Sequence, residues 1–333
     1  MDLVLTPDNP APQPGQVLSV TTSDGLAIRV VRWPARVAEP RGTVILIQGR
    51  AEFIEKYFET ANDLLARGFA VVSFDWRGQG GSTRELGNRS KGHVDDFALY
   101  ALDLEAVLDQ AIPADWSRPL FAIAHSMGGA ILLSLLGEGF SRFERVVVTA
   151  PMVKIAFIGA QRLVRSLAEG LDAIGLGTAF VPGGGAQSIS AKPFVGNHLT
   201  GDSVRYARNA AVVTQGPKVG IGDPTVSWLN AAFRCMSALQ DPRLPAAITT
   251  PVLVIGAGDD AVVSTAAVER FAAYLKTGHA IVLPGALHEV LMERDPIRQA
   301  FLAAFDAFIP GSPPVLTAVE PVVLPAGERE AAG

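Results

Sequence analysis

One stretch narrows the folds open to this chain more than any other: Phe121-Ala122-Ile123-Ala124-His125-Ser126-Met127-Gly128-Gly129-Ala130. An apolar run stops abruptly at a serine, small glycines follow, and an apolar pattern of helical spacing (Ile131, Leu132, Leu135, Leu136) takes over. The pattern reads as strand, tight turn and helix, with Ser126 at the apex. Small residues belong there because the turn is strained and because strand and helix approach closely. Alone, a Ser-Met-Gly-Gly turn is also compatible with an ordinary loop, so its context decides.

That context is an alternation of strands and helices. Val17 to Trp33 alternates around Ser23-Asp24-Gly25 and predicts a β-hairpin. Residues 43–48, 69–74, 120–124, 146–149, 252–256 and 280–283 read as strands, and 54–67, 94–110, 127–136, 265–275 and 296–308 as helices. Strands alternating with helices predict an α/β fold with a mostly parallel central sheet flanked by helices on both faces. From residue 152 to about 245 the rhythm breaks into helical stretches and the segment Pro182-Gly183-Gly184-Gly185, with no convincing strand. The expected organisation is a first core part at 17–150, a helical cap insertion at 151–245, a second core part at 246–310 and a loose Pro-rich tail at 311–333.

Composition removes several classes. The 333 residues are 49% hydrophobic, enough for a substantial core, and a net charge of −5 with no block of Lys or Arg argues against nucleic-acid binding. A single cysteine, Cys235, excludes an internal disulfide and a cysteine-based zinc cage. Residues 1–7 lack the basic region and apolar core of a signal peptide, and the apolar region from Ile155 to Phe180 is interrupted by Arg162, Arg165, Glu169 and Asp172. A cytoplasmic protein without an obligate protein partner is expected, with transient contact of the cap with a membrane surface left open.

The turn at Ser126 resembles the nucleophile elbow of α/β-hydrolases, Gly-x-Ser-x-Gly, with Ala124 in place of the first glycine. A serine hydroxyl is a poor nucleophile until a histidine takes its proton, and the histidine needs a carboxylate to fix its tautomer. On this fold the chain order is Ser, then Asp or Glu, then His. After the strand at 252–255 comes Gly256-Ala257-Gly258-Asp259-Asp260-Ala261-Val262-Val263, and after the strand at 281–283 comes Pro284-Gly285-Ala286-Leu287-His288-Glu289. Both lie just past strand C-termini, where open α/β sheets carry their sites. Anchoring the acid loop on Val262-Val263 selects Asp260, and anchoring on Gly256 selects Asp259; Asp260 is favoured. An oxyanion hole needs two backbone N–H groups, expected from Met127 and from Arg50 in the loop Gln48-Gly49-Arg50-Ala51-Glu52-Phe53.

With the segment Phe74-Asp75-Trp76-Arg77-Gly78-Gln79-Gly80-Gly81-Ser82, these motifs resemble the monoacylglycerol lipase and lysophospholipase group of α/β-hydrolases over roughly residues 20–308. The resemblance implies the α/β-hydrolase fold and a serine hydrolase working through an acyl-enzyme. Ser126 is then the nucleophile, His288 the base and then the acid, and Asp260 the orienting carboxylate; no metal or cofactor is needed. A monoacyl lipid, lysophospholipid or monoacylglycerol, is the implied substrate. The Asp75-x-Arg77 pattern is expected to form buried charge pairing near the site. Two departures stand out: Gln48 where many members carry His, and Ala124. A small-ester esterase, a serine aminopeptidase and an acyltransferase remain alternatives, as does a non-catalytic ligand-binding protein of this fold. An aspartate-nucleophile dehalogenase or epoxide hydrolase is disfavoured by Ser126.

Among other residues, His93 and His125 read as structural, Glu52 as a hydrogen-bonding partner within the oxyanion loop, and Cys235 as buried filler. Arg50 reads as a solvated side chain, with an anionic head group as the alternative contact. The apolar cap residues, among them Ile155, Phe157, Ile158, Leu163, Leu167, Ile174 and Leu176, divide evenly between lining an acyl tunnel or lipid surface and packing the cap.

Overall fold

The computed structural model describes residues 2–116, 118–156 and 161–310. The tail at 311–333, together with Phe157 and Ile158, lies outside the described residues. Strands β1 (Gln16–Thr21), β2 (Ala27–Trp33), β3 (Thr43–Ile47), β4 (Ala70–Phe74), β5 (Leu120–His125), β6 (Arg145–Thr149), β7 (Val252–Ala257) and β8 (Gly278–Leu283) form one sheet in the order β1-β2-β4-β3-β5-β6-β7-β8. β2 runs antiparallel to its neighbours β1 and β4, and every pairing from β4 to β8 is parallel.

The central strands are apolar on both faces because both faces are covered. On β3 and β5, Val44, Leu46, Phe121 and Ile123 pack toward α1 (Phe58–Ala66) and α9 (Asp295–Phe308). Their alternates Ile45, Ile47, Ala122 and Ala124 pack toward α2 (Leu99–Gln110), α3 (Ser126–Gly137) and α8 (Thr265–Ala272). The helix predicted from Val94 begins only at Leu99, because the Asp96 carboxylate accepts from the Ala98 N–H at 2.9 Å. That local turn competes with helical hydrogen bonding.

Between β6 and β7 lie α4 (Gln161–Leu171), α5 (Ser203–Gln215), α6 (Val226–Leu239) and the short α7 (Arg243–Ala247), with no strand among the described residues there. Two contacts of different physics hold this cap to the sheet. Helix α6 is anchored by apolar burial, with Trp228, Phe233, Met236 and Leu239 joining the cluster that covers α3. Helix α5 sets Val212 and Val213 against Phe53 in a small apolar cluster and adds charge to that contact. Arg205 donates to Glu59 of α1 and to Asp295 of α9 at 2.6 Å each, and Arg208 also pairs with Glu59. Burial opposes ionisation of Glu59, but the bonds from Arg205 and Arg208 and the charge of Arg298 outweigh it and hold its pKa down to about 2.

A carboxyl whose folded pKa is depressed stabilises the fold above its ordinary value of 4.5 and loses that contribution as pH falls toward 2. Replacing Glu59 by Gln should therefore lower Tm near neutral pH by about 2–4 °C, the size expected of a partly screened ion cluster. In thermal melts taken from pH 7 to pH 2, the gap to the parent protein should close across the acid range; a gap that widens there would contradict this account.

Candidate active site

The site is assembled where β3, β5, β7 and β8 end. At the end of β5 the chain turns directly into α3, and Ser126 takes φ +50, one of three non-glycine residues in the left-handed region among the described residues. That conformation strains a residue bearing a Cβ and persists only where packing holds it. Packing does so here: a Cβ on Gly128 would come 2.3 Å from the Gln48 carbonyl oxygen, and one on Gly129 would come 3.1 Å from Pro151. Ala124 is fully buried within β5, so its methyl is accommodated and the departure from the glycine pattern leaves the turn intact.

Ser126, His288 and Asp260 form a hydrogen-bonded row. His288 Nε2 lies 2.9 Å from Ser126 Oγ, and its Nδ1 lies 2.8 Å from Asp260 Oδ2. An ionised carboxylate only accepts, so Nδ1 carries the proton and Nε2 is left to accept from the serine hydroxyl. All three side chains are buried. Burial works against charge on Asp260, but the bond and charge of His288 and the N–H groups of Val263 and Val262, at 2.9 and 2.8 Å, outweigh it and lower its pKa. Asp259 is exposed, and its backbone N–H donates to Ala286 instead. Of the two aspartates, Asp260 is the one the fold brings to His288. The row has the geometry to move a proton from Ser126 Oγ to imidazole while a fixed anion stabilises the imidazolium.

The loop after β3 is braced by the Asp75–Ser82 segment. Gln79 Nε2 donates to the Gly49 carbonyl at 2.8 Å, Gln79 Oε1 accepts from the Ala51 N–H at 3.2 Å, and Trp76 Nε1 donates to the Gln48 carbonyl at 2.9 Å. Asp75 accepts from the Ile54 N–H at 2.9 Å and pairs with Arg29 at 2.6 Å. Arg77 pairs with Asp103 and Asp24 at 2.7 Å each. The motif is thus buried charge pairing, as its sequence suggests, and it also fixes the carbonyls of the Gly49 loop. Gln48 points its amide at Asp75, 3.3 Å away.

Sequence reasoning placed Glu52 as a hydrogen-bonding partner within this loop, as the structure has it, but missed the rest of its buried cluster. Glu52 accepts from the Gly49 N–H, from Lys56 Nζ at 2.6 Å and from Tyr57 Oη at 2.6 Å, while Lys56 also reaches Glu289, next to His288, at 2.6 Å. Lys56 thereby ties the loop after β3 to the loop after β8. Its burial disfavours charge, but Glu289 and Glu52 prevail and raise its pKa. The Glu52–Lys56 spacing of four residues was the available signal; nothing in sequence marks Glu289 as its second partner. His125 donates through Nδ1 toward Thr149, and its ring centroid lies 4.8 Å from that of His288 with the planes tilted by 54°. Burial, opposed by Glu52, lowers its pKa to about 4, which leaves it neutral and structural.

A cavity of about 1090 Å³ opens over Ser126 and His288, bounded by the Gly49–Glu52 loop on the sheet side and by cap residues including Val164, Leu167, Val181, Ile189, Val195 and Leu229. Arg50 lines it too, and there the solvated reading fails. The side chain is half-buried, Nη2 donates to the Gly222 carbonyl of the cap at 2.6 Å, and the guanidinium lies 5.1 Å from the Trp228 ring centroid. Arg50 and Met127 keep their backbone N–H groups out of the inter-element backbone hydrogen bonds of the described residues.

An eight-stranded, mostly parallel sheet with Ser, Asp and His just past the ends of β5, β7 and β8 defines an α/β-hydrolase. The serine aminopeptidase S33 family model matches residues 38–295, and the chain belongs to that family. It is 32% identical over 303 residues to lysophospholipase L2 of Escherichia coli, covering 86% of this chain and 85% of that one. It is 26% identical over 260 residues to a monoacylglycerol lipase of Mycolicibacterium smegmatis, covering 77% and 84%. In fold it is similar to a soluble variant of Saccharomyces cerevisiae monoglyceride lipase crystallised with a substrate analog, with a TM-score of 0.71 at 19% identity over 90% of this chain and 99% of that one.

Removing the cation of the Glu52–Lys56–Glu289 cluster leaves two carboxylates buried side by side. Lys56→Met should destabilise the protein by about 3–5 kcal/mol in urea unfolding. Adding Glu52→Gln and Glu289→Gln to Lys56→Met should restore part of the loss, and an unchanged midpoint in the single variant would show that the cluster is not held by its charges.

Proposed function

We propose that this protein hydrolyses the carboxylic ester of a monoacyl lipid, a lysophospholipid or monoacylglycerol, through an acyl-enzyme on Ser126. The observation that carries the reading is the row Ser126–His288–Asp260 at 2.9 and 2.8 Å, set at the floor of a large cavity with apolar cap walls. In this mechanism Ser126 Oγ attacks the ester carbonyl as His288 Nε2 takes its proton. The N–H groups of Arg50 and Met127 receive the developing oxyanion, and the N-terminus of α3 adds its positive end beneath it. Protonated His288 then gives the proton to the departing alcohol, water enters, and the same histidine activates it to release the acid. Asp260 keeps Nδ1 protonated throughout.

Two features favour an acyl ester over the alternatives of the same fold. A peptidase that takes a free amino terminus needs an unpaired anion near the nucleophile; Glu52 and Glu289, the carboxylates of the adjoining loops, are both bound to Lys56, and the remaining carboxylate of the wall, Asp223, accepts from the Gly185 N–H and lies in the field of Arg50. The cap, read as residues 151–245, offers apolar surface instead. Leu163 and Ile174 are 71% and 72% exposed and Val195 is 90% exposed, so these residues do not pack the cap onto the sheet. Leu167 and Val195 line the cavity as well, which joins its wall to the outer apolar surface. Such a face suits transient contact with a lipid surface, from which a single acyl chain enters. No helix among the described residues is long and apolar enough to cross a membrane.

Ser126→Ala should abolish ester hydrolysis and fluorophosphonate labelling. Asp260→Asn should lower kcat by roughly 10³–10⁴, as expected when the orienting carboxylate is lost, while Asp259→Asn keeps near-parent turnover. Rates on p-nitrophenyl esters from acetate to palmitate, beside lysophosphatidylcholine and monoacylglycerol, decide the substrate class: activity confined to short esters would replace the lipid reading with a small-molecule esterase.

A further inference from the structure

Arg50 holds a half-buried positive charge on the wall of the substrate cavity, attracted by Asp223 but with no carboxylate close enough to pair with it. Its guanidinium makes one hydrogen bond, from Nη2 to the Gly222 carbonyl, and its Nε is buried without a partner. Among the described residues no carboxylate lies within ion-pair distance of it, whereas the fully buried Arg29 and Arg77 each have two. Arg84 also lacks a carboxylate, but carbonyls of Gly80, Ser82, Arg89 and Lys218 serve it and it does not line the cavity. The Arg50 guanidinium is held in place before any ligand arrives, between Trp228 and Gly92, where a Cβ would approach Nη2 to 2.8 Å. Burial pulls its pKa down to about 10 against the attraction of Asp223, so it stays charged at neutral pH and would gain from an anion beside it.

We propose that the Arg50 side chain binds the phosphodiester of a monoacyl glycerophospholipid whose ester is cleaved at Ser126. The assignment rests on the ester-hydrolase reading above and narrows it to lysophospholipids. The same residue offers its backbone N–H to the ester oxyanion and its guanidinium to a group roughly a side chain's length away, and in a lysophospholipid one glycerol separates ester from phosphate. A guanidinium fork suits phosphate oxygens, and a charge-assisted bond in a dry cavity is among the stronger polar contacts. The other charged groups on the cavity wall do not compete for the role. Glu52 and Glu289 are held by Lys56, Asp223 Oδ2 accepts from the Gly185 N–H at 2.9 Å, and Lys192 is exposed. A monoacylglycerol has no anion to satisfy Arg50.

The test compares kcat/KM for lysophosphatidylcholine, the monoacylglycerol of the same chain and p-nitrophenyl butyrate in the parent protein, Arg50→Gln and Arg50→Lys. Arg50→Gln should lose at least about tenfold more on lysophosphatidylcholine than on the two neutral esters. Arg50→Lys, which keeps charge but not the fork, should fall between. An equal loss on all three esters would overturn the assignment and make Arg50 a tether between loop and cap, leaving the ester-hydrolase reading untouched. A folded parent protein inactive on every ester would overturn both. In the parent protein, independent of any variant, glycerophosphocholine should inhibit butyrate hydrolysis where glycerol does not. Inorganic phosphate inhibiting as well as glycerophosphocholine, with no preference for lysophosphatidylcholine over monoacylglycerol, would mark a free-phosphate site and overturn the lipid assignment.

Discussion

The parallel register from β3 to β8 is the constraint on which the site depends. Ile47 pairs with Ala124, Ala124 with Val148, Thr149 with Ile255, and Ala257 with Leu283, so neighbouring strands finish within two residues of one another along a single edge. The Gly49 loop, Ser126, Asp260 and His288 all leave from that edge. A slip of one residue in any pair would turn its side chains to the opposite face and exchange the two buried clusters, which neither face tolerates. The bond lengths of the Ser–His–Asp row are therefore a consequence of core packing many residues away.

Register alone leaves the loops free, and buried charge holds them. Arg29 bridges Glu55 and Asp75, Arg77 bridges Asp24 and Asp103, and Lys56 bridges Glu52 and Glu289. In each case one cation meets two carboxylates contributed by different segments. Such clusters are weak sources of net stability, because desolvation offsets much of the attraction, but they penalise every arrangement that separates their members. Around the Gly49 loop, that penalty defines the backbone geometry.

The strand series, the helical interval between β6 and β7 and the hydrogen-bonded row were legible because each carries a local signal: apolar runs, a break in alternation, and polar residues just past strand ends. Asp260 was legible through Val262 and Val263, and the structure shows the physical basis, since those two N–H groups cap its carboxylate. What stayed hidden is long-range. Lys56 and Glu289 are 233 positions apart in the chain, and Arg50 meets Gly222 only because the cap folds back over the first loop. Arg50 read as solvated because an arginine in a loop ordinarily is; its burial is decided by Trp228 and Gly92, neither of which is near it in sequence.

The position of Arg50 also bears on how cap and chemistry communicate. In the proposed mechanism its backbone N–H receives the oxyanion, and its side chain holds the segment after β6 through Gly222 and Trp228. Movement of that segment therefore pulls on the residue proposed as an oxyanion donor, with Gln79 resisting through its bonds to Gly49 and Ala51 on either side. An anion bound at the guanidinium would add a second anchor at the same point, so that head-group recognition and alignment of the oxyanion donor become one event. Binding energy from the non-reacting end of a substrate is then available where charge develops, which is the condition for it to raise kcat rather than only lower KM.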